Sequence, residues 1–109
     1  MTESNFKLEV PHTIKIGWRE YLIKDCENRR NERGELLLGQ IDYDDHIIYL
    51  DNGLLRETKM EAFLHEVVHG IFYSQHQSEW RKDEELVDAI ADGLMAVLLD
   101  NPGIFSVKE

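Results

Sequence analysis

The stretch that decides the fold is TKMEAFLHEVVHGIFY, residues 58–73. Its apolar residues recur with the period of an α-helix and cover most of its circumference, which predicts a largely buried helix. Thr58 and Glu61 have the spacing of a capping box, so the helix is predicted to begin at Thr58. The predicted core face is Met60, Leu64, Val67 and Ile71, widened by Phe63, Val68 and Phe72.

The residues before this helix predict a small β-sheet. Residues 13–25, TIKIGWREYLIKD, alternate in polarity with a change of phase at Gly17, which indicates a strand with a bulge or, alternatively, a helix after Trp18. A polar loop follows. LLLGQIDY (36–43) and HIIYLD (46–51) are typical of two strands joined by a tight hairpin at Asp44-Asp45, and the second strand is closed by DNG at 51–53.

The residues after the helix predict a second one. SQHQSEWRKD (74–83) is interpreted as a polar connection that ends in Asp83, the predicted N-cap. DNPG at 100–103 ends the second helix, since Pro102 has no amide hydrogen. Its predicted core stripe is Val87, Ile90, Leu94, Val97 and Leu98.

These patterns predict an α+β fold, a small, mainly antiparallel, twisted sheet packed on two core helices. Residues 13–102 are expected to form one domain, with residues 1–12 as an N-terminal arm and 103–109 as a C-terminal tail. A chain of 109 residues is long enough for one hydrophobic core.

Composition restricts the partners and the compartment. The chain has 12 basic and 22 acidic residues, a formal net charge of -10, which argues against binding to nucleic acid or to an anionic membrane. No apolar run approaches the roughly 20 residues that span a bilayer, and the N-terminus has no secretory pattern. Cys26 is the single cysteine, so an internal disulfide is excluded and a cytoplasmic location is expected.

HEVVH, residues 65–69, has the pattern of a metal site. On a helix, His65 and His69 lie one above the other and can direct both imidazoles at one ion. Glu66 lies about 100° further round, within reach of a water on that ion. Zinc acidifies such a water, and the carboxylate can carry its proton to a leaving amine. We therefore expect one Zn²⁺ per chain, with Glu66 as general base.

A third protein ligand is expected beyond the motif, because catalytic zinc usually has three. The metzincin extension is excluded, since Phe72 and Gln75 occupy its glycine and histidine positions. His76 could serve if the first helix continued that far. Glu84 is favoured because Asp88 lies one turn after it, where it could accept a hydrogen bond from a ligand histidine. The other candidate is Glu85.

HExxH on one helix, followed by E-x-x-x-D at the start of a second, resembles the gluzincin metallopeptidases. The short chain and the preceding strands are similar to the minimal ImmA/IrrE-like members found in bacteria, phages and mobile elements. The resemblance covers about residues 13–102. It implies a sheet against the active-site helix, zinc held by two histidines and one glutamate, and proteolytic activity. Several of these relatives cleave a transcriptional repressor. The second motif reads VDAIADGL instead of the usual E-A-N-x-F-A, so Glu84 and Glu85 both remain candidates.

The predicted function is that of a zinc metallopeptidase acting on a protein or peptide substrate, for which the resemblance suggests a repressor. Tyr73 or His76 is a candidate for stabilising the tetrahedral oxyanion. The alternative is a non-catalytic protein-interaction module that retains the zinc site. A third interpretation, an inhibitor that mimics nucleic acid, rests on net charge alone.

Overall fold

The computed structural model describes residues 8–104 and has the predicted α+β class. The predicted arm and tail therefore lie partly outside the described residues, at 1–7 and 105–109. The elements, in chain order, are strands β1 (Thr13–Ile16), β2 (Arg19–Cys26), β3 (Gly39–Asp42) and β4 (Ile47–Asp51), and helices α1 (Arg56–Ser74), α2 (Ser78–Lys82) and α3 (Glu84–Asp100).

The four strands form one mixed sheet in the order β1-β2-β4-β3. The two outer pairings, β1 with β2 and β3 with β4, are antiparallel, and the central pairing of β2 with β4 is parallel. The sheet therefore consists of two hairpins joined side by side, with β3 at one edge. Two of its three pairings are antiparallel, in line with the prediction of a mainly antiparallel sheet.

The prediction of one bulged strand over residues 13–25 is wrong, and so is its helical alternative. The chain reverses at Gly17 and Trp18, so that Ile16 pairs with Arg19 and Thr13 with Leu22. Gly17 has φ +65°, a conformation open to glycine that lets so short a turn join two antiparallel strands. The change of phase in the sequence therefore marks a reversal of chain direction.

The predicted hairpin of β3 and β4 is confirmed. Its turn is held by Asp42, whose Oδ1 accepts the amide hydrogens of Asp44 at 3.0 Å and Asp45 at 2.9 Å. The first of the two strands begins only at Gly39, however, so LLL at 36–38 was wrongly included in it. Those leucines precede the strand and are available to line the cavity described below.

Helix α1 lies between the sheet and α3, which explains why it is apolar on most sides. It begins at Arg56 with Leu55 as N-cap and no side-chain cap, so the predicted capping box at Thr58 is wrong. Leu54, which directly precedes the N-cap, packs against the core. Gly70 allows the close approach to the sheet: a Cβ there would lie 2.8 Å from Ile16 Cδ1 and 3.1 Å from Ile41 Cδ1.

Most of the predicted core face of α1 is buried, but Ile71 is exposed. The reason is geometric, since Gly70 faces the sheet and the next residue points about 100° further round. The segment after α1 is not only a polar connection, because it contains the short helix α2, in which no residue is buried.

Helix α3 begins after Asp83 as predicted, and Asp83 Oδ1 accepts the amide hydrogen of Leu86 at 3.1 Å. The predicted core stripe is only partly right. Val87 is buried, and Leu94 and Leu98 pack against the core, but Ile90 and Val97 are exposed. Because α3 is covered on one side only, by α1 and α2, its buried stripe is narrow and is completed by Ala91 and Met95. Within residues 8–104, no helix combines the length and apolarity needed to cross a membrane.

Candidate metal centre

Three side chains with metal-binding atoms converge where α1 meets α3. His65, His69 and Glu84 each offer one ligand atom, and these atoms all lie within 4.8 Å of one another. His69 Nε2 is 3.2 Å from His65 Nε2, Glu84 Oε1 is 3.0 Å from His65 Nε2, and Glu84 Oε2 is 3.2 Å from His69 Nε2. The Asp83 cap positions the carboxylate, since it fixes Glu84 as the first residue of α3.

Asp88 lies behind this cluster, one helical turn after Glu84. Its Oδ1 is 2.7 Å from His65 Nδ1. A proton on Nδ1 that is shared with this carboxylate leaves the lone pair of Nε2 directed at Glu84 and His69. The structure thus brings together the four residues that the sequence predicts for the metal site and its support.

The electrostatics of the cluster suit a cation. Burial lowers the pKa of His69, while the Glu84 carboxylate acts in the opposite direction. The ring of His69 also hydrogen-bonds to the backbone of Arg81, and Nδ1 is the nitrogen left for that bond because Nε2 faces the cluster. Two imidazoles with facing Nε2 atoms and one carboxylate form a donor set that zinc prefers.

Two other candidates lie away from the cluster. Glu85 is exposed and contributes no atom to the metal-binding group. His76 lies beyond Ser74, the last residue of α1, and has φ +59°. The helix does not continue far enough to place it on the face of the other two histidines.

Glu66 lies beside the cluster, only 7% exposed. Burial raises its pKa to about 7; His65 and a hydrogen bond from the Ile41 backbone lower that pKa, and Glu84 raises it. Gly39 leaves space for this side chain, since a Cβ there would lie 3.3 Å from Glu66 Cγ and 3.2 Å from the Tyr49 carbonyl oxygen. This contact could have been predicted from the sequence, because a glycine inside a strand pattern often marks a place where another group lies close to the strand backbone.

A cavity of about 370 Å³ opens next to Glu66 and His65. One wall is formed by residues 36–39, and the other by Asp88, Ala91 and Asp92 of α3. Glu61 and Ala62, on the preceding turn of α1, also line it. The sequence did not predict this cavity, because its walls come from segments that meet only in the folded chain.

Tyr73 and His76, the predicted candidates for oxyanion stabilisation, line a second, smaller cavity together with Arg81. The Tyr73 ring stacks on Tyr43 at 4.1 Å between centroids, and the Arg81 guanidinium lies 5.2 Å from the Tyr43 ring and 5.4 Å from the Tyr73 ring. Burial raises the pKa of Tyr43 to about 12, with Arg81 opposing the shift. Sequence analysis did not single out Tyr43 or Arg81, and no local pattern marks either residue.

Comparisons with known proteins add no relative. No protein-family model matches the chain, and neither a curated protein nor a solved structure does so.

Proposed function

We propose that the protein is a zinc-dependent metallopeptidase of the gluzincin type. The observation that carries the proposal is the convergence of His65, His69 and Glu84, with Asp88 behind His65 and Glu66 beside the cluster. A cluster for metal binding alone would not need a nearly buried carboxylate at its side, next to an open cavity. Such a carboxylate is suited to act as a general base.

The two histidines and Glu84 would hold one Zn²⁺, with Asp88 keeping His65 in the tautomer that binds metal. When bound, the ion supplies a Lewis acid that activates water and polarises the peptide carbonyl. Glu66 takes a proton from the attacking water and passes it to the leaving amine. Burial of Glu66 favours uptake of the proton, because burial raises the pKa of this group.

The edge strand β3 offers a way to bind an extended peptide. The Leu38 carbonyl oxygen accepts a hydrogen bond from the Asp51 amide, so the backbone of Leu38 faces β4. Along an antiparallel strand, the N–H and C=O groups of successive residues point alternately towards the partner strand and away from it. The backbone groups of Gly39 and Ile41 therefore point to the open edge of the sheet. Ile41 bonds to Glu66, and Gly39 is left to pair with a substrate backbone beside the base.

For the oxyanion we favour Tyr73 over His76. Tyr73 lies four residues after His69 on α1 and therefore shares the face of both histidines. His76 lies past the end of that helix. The substrate is proposed to be a protein or peptide, with a repressor as one candidate, and not nucleic acid or membrane, in keeping with the net charge of -10. A cytoplasmic location is proposed from the single cysteine.

The test compares wild type with Glu66→Gln, both reconstituted with zinc, on unfolded proteins and peptide mixtures analysed by mass spectrometry. Both proteins should hold about one zinc per chain, and the variant should cut about 10²–10⁴-fold more slowly. A His65→Ala/His69→Ala double variant should hold none. Equal rates for wild type and Glu66→Gln would contradict the role of Glu66. A zinc-loaded wild type that cuts no substrate would favour the binding module instead.

A further inference from the structure

The cavity beside Glu66 has an apolar wall next to the predicted scissile bond. Leu36 and Leu38 line it with side chains that are 46% and 47% exposed. Ala62 and Ala91 lie on the helices that form its other sides. Its volume of about 370 Å³ is within the range of small-molecule sites. The cavity can therefore enclose the aliphatic part of one substrate side chain.

Carboxylates line the same cavity, and among residues 8–104 no lysine or arginine does. Glu61 lies four residues before His65 on α1, and Asp92 lies four residues after Asp88 on α3. Each is therefore about 6 Å along its helix from a residue of the metal centre. Asp88 is already engaged by His65, whereas Glu61 and Asp92 are exposed. A cationic group one helical turn from the metal centre would meet two carboxylates.

We infer that this cavity binds a lysine or arginine side chain of the substrate, adjacent to the peptide bond that is cut. The inference rests on the proposed function and names its substrate class. A lysine or arginine combines an aliphatic stem, which fits the leucine wall, with a cationic end, which can reach Glu61 and Asp92. An acidic side chain would be repelled there, and an apolar one would remove water from the carboxylates without replacing its hydrogen bonds.

The experiment digests a mixed peptide library with the zinc-loaded wild type and sequences the products. Lysine and arginine should be enriched at one position next to the cut. The Glu61→Gln/Asp92→Asn double variant should reduce that preference about three- to tenfold, which is the effect expected of two solvent-exposed ion pairs. The matched control, Glu57→Gln/Glu85→Gln, removes the same charge from the same two helices outside the cavity, and it should leave the preference unchanged.

A binding measurement separates failure of this inference from failure of the proposed function. Zinc-loaded Glu66→Gln is titrated with three fluorescent peptides that carry lysine, norleucine or glutamate at the position next to the cut that the library identifies. If nothing in the library is cut, the three residues are placed at each position of the peptide in turn. The lysine peptide should bind most tightly, and added salt should reduce its advantage over norleucine. Cleavage without basic enrichment, or equal binding of the three peptides, would overturn the inference. Selective binding without cleavage would support the basic subsite and contradict the peptidase.

Discussion

Replacing Asp88 with asparagine should weaken zinc binding although it removes no zinc ligand. Asp88 Oδ1 is 2.7 Å from His65 Nδ1, and this contact holds the ring with Nε2 directed at the cluster. An asparagine can keep the shape of the side chain but loses the negative charge that makes the ring a better donor to metal. It can also turn its amide hydrogens towards the ring, which then favours the other tautomer.

The expected loss of zinc affinity in Asp88→Asn depends on how exposed the contact between Asp88 and His65 is. Loss of such a supporting carboxylate typically weakens metal affinity by about 10–100-fold, or roughly 1.4–2.7 kcal/mol. The Asp88 side chain is 63% exposed, so solvent screens its charge. We therefore expect a loss near the lower end, about tenfold. Glu84→Gln should cause a larger loss, because it removes a ligand.

The assay is competition for zinc against a chromophoric chelator at neutral pH. Asp92→Asn is the matched control, since Asp92 lines the same cavity one turn later on α3. It should bind zinc like wild type, as should Glu85→Gln and His76→Ala. Equal losses in Asp88→Asn and Asp92→Asn would refute the supporting role of Asp88. Loss of zinc in Glu85→Gln or His76→Ala, with zinc retained in Glu84→Gln, would refute the ligand assignment.

Three further predictions concern stability, measured by denaturant unfolding. Gly93→Ala should raise the free energy of unfolding by about 0.5–1 kcal/mol, because alanine favours the helix and its Cβ meets open space. In contrast, Gly70→Ala should lower the free energy of unfolding by up to about 2 kcal/mol, because the new Cβ would overpack against the sheet. Asp83→Ala should lower it by about 1 kcal/mol through loss of the N-cap, and an unchanged value would mean that the cap adds nothing. Burial raises the pKa of Tyr43 from 10.0 to about 12, so the free energy of unfolding of wild type should fall as the pH rises from 10 to 12. In Tyr43→Phe the fall should be smaller, and equal pH dependence of the two proteins would contradict this prediction.

The features that the sequence predicts most directly depend on local spacing. His65 and His69, like Glu84 and Asp88, are four residues apart on a helix, and helical geometry alone places each pair on one face. The Asp83 cap and the Asp44-Asp45 turn likewise depend on side chains close to the backbone they bind. Such features could be predicted before the tertiary structure was known.

The features that were missed depend on what packs against each element. Ile90 and Val97 match a helical apolar pattern, but they are exposed, because no element in the described part of the chain packs over them. Helix α1 begins at Arg56, two residues before the Thr58 signal, and has no side-chain cap. The parallel pairing of β2 with β4 could not be predicted, because it joins strands whose own turns pair them with other partners.

The sheet order has a consequence for folding kinetics. Each hairpin closes over a short turn and should form within microseconds, whereas the parallel pairing must bring Leu22 to Ile47, about 25 residues later. Helix α1 bridges the two hairpins at Gly70, which lies against Ile16 of the first and Ile41 of the second. We therefore expect docking of the preformed hairpins onto α1 to limit the folding rate, so that Gly70→Ala slows folding more than it speeds unfolding.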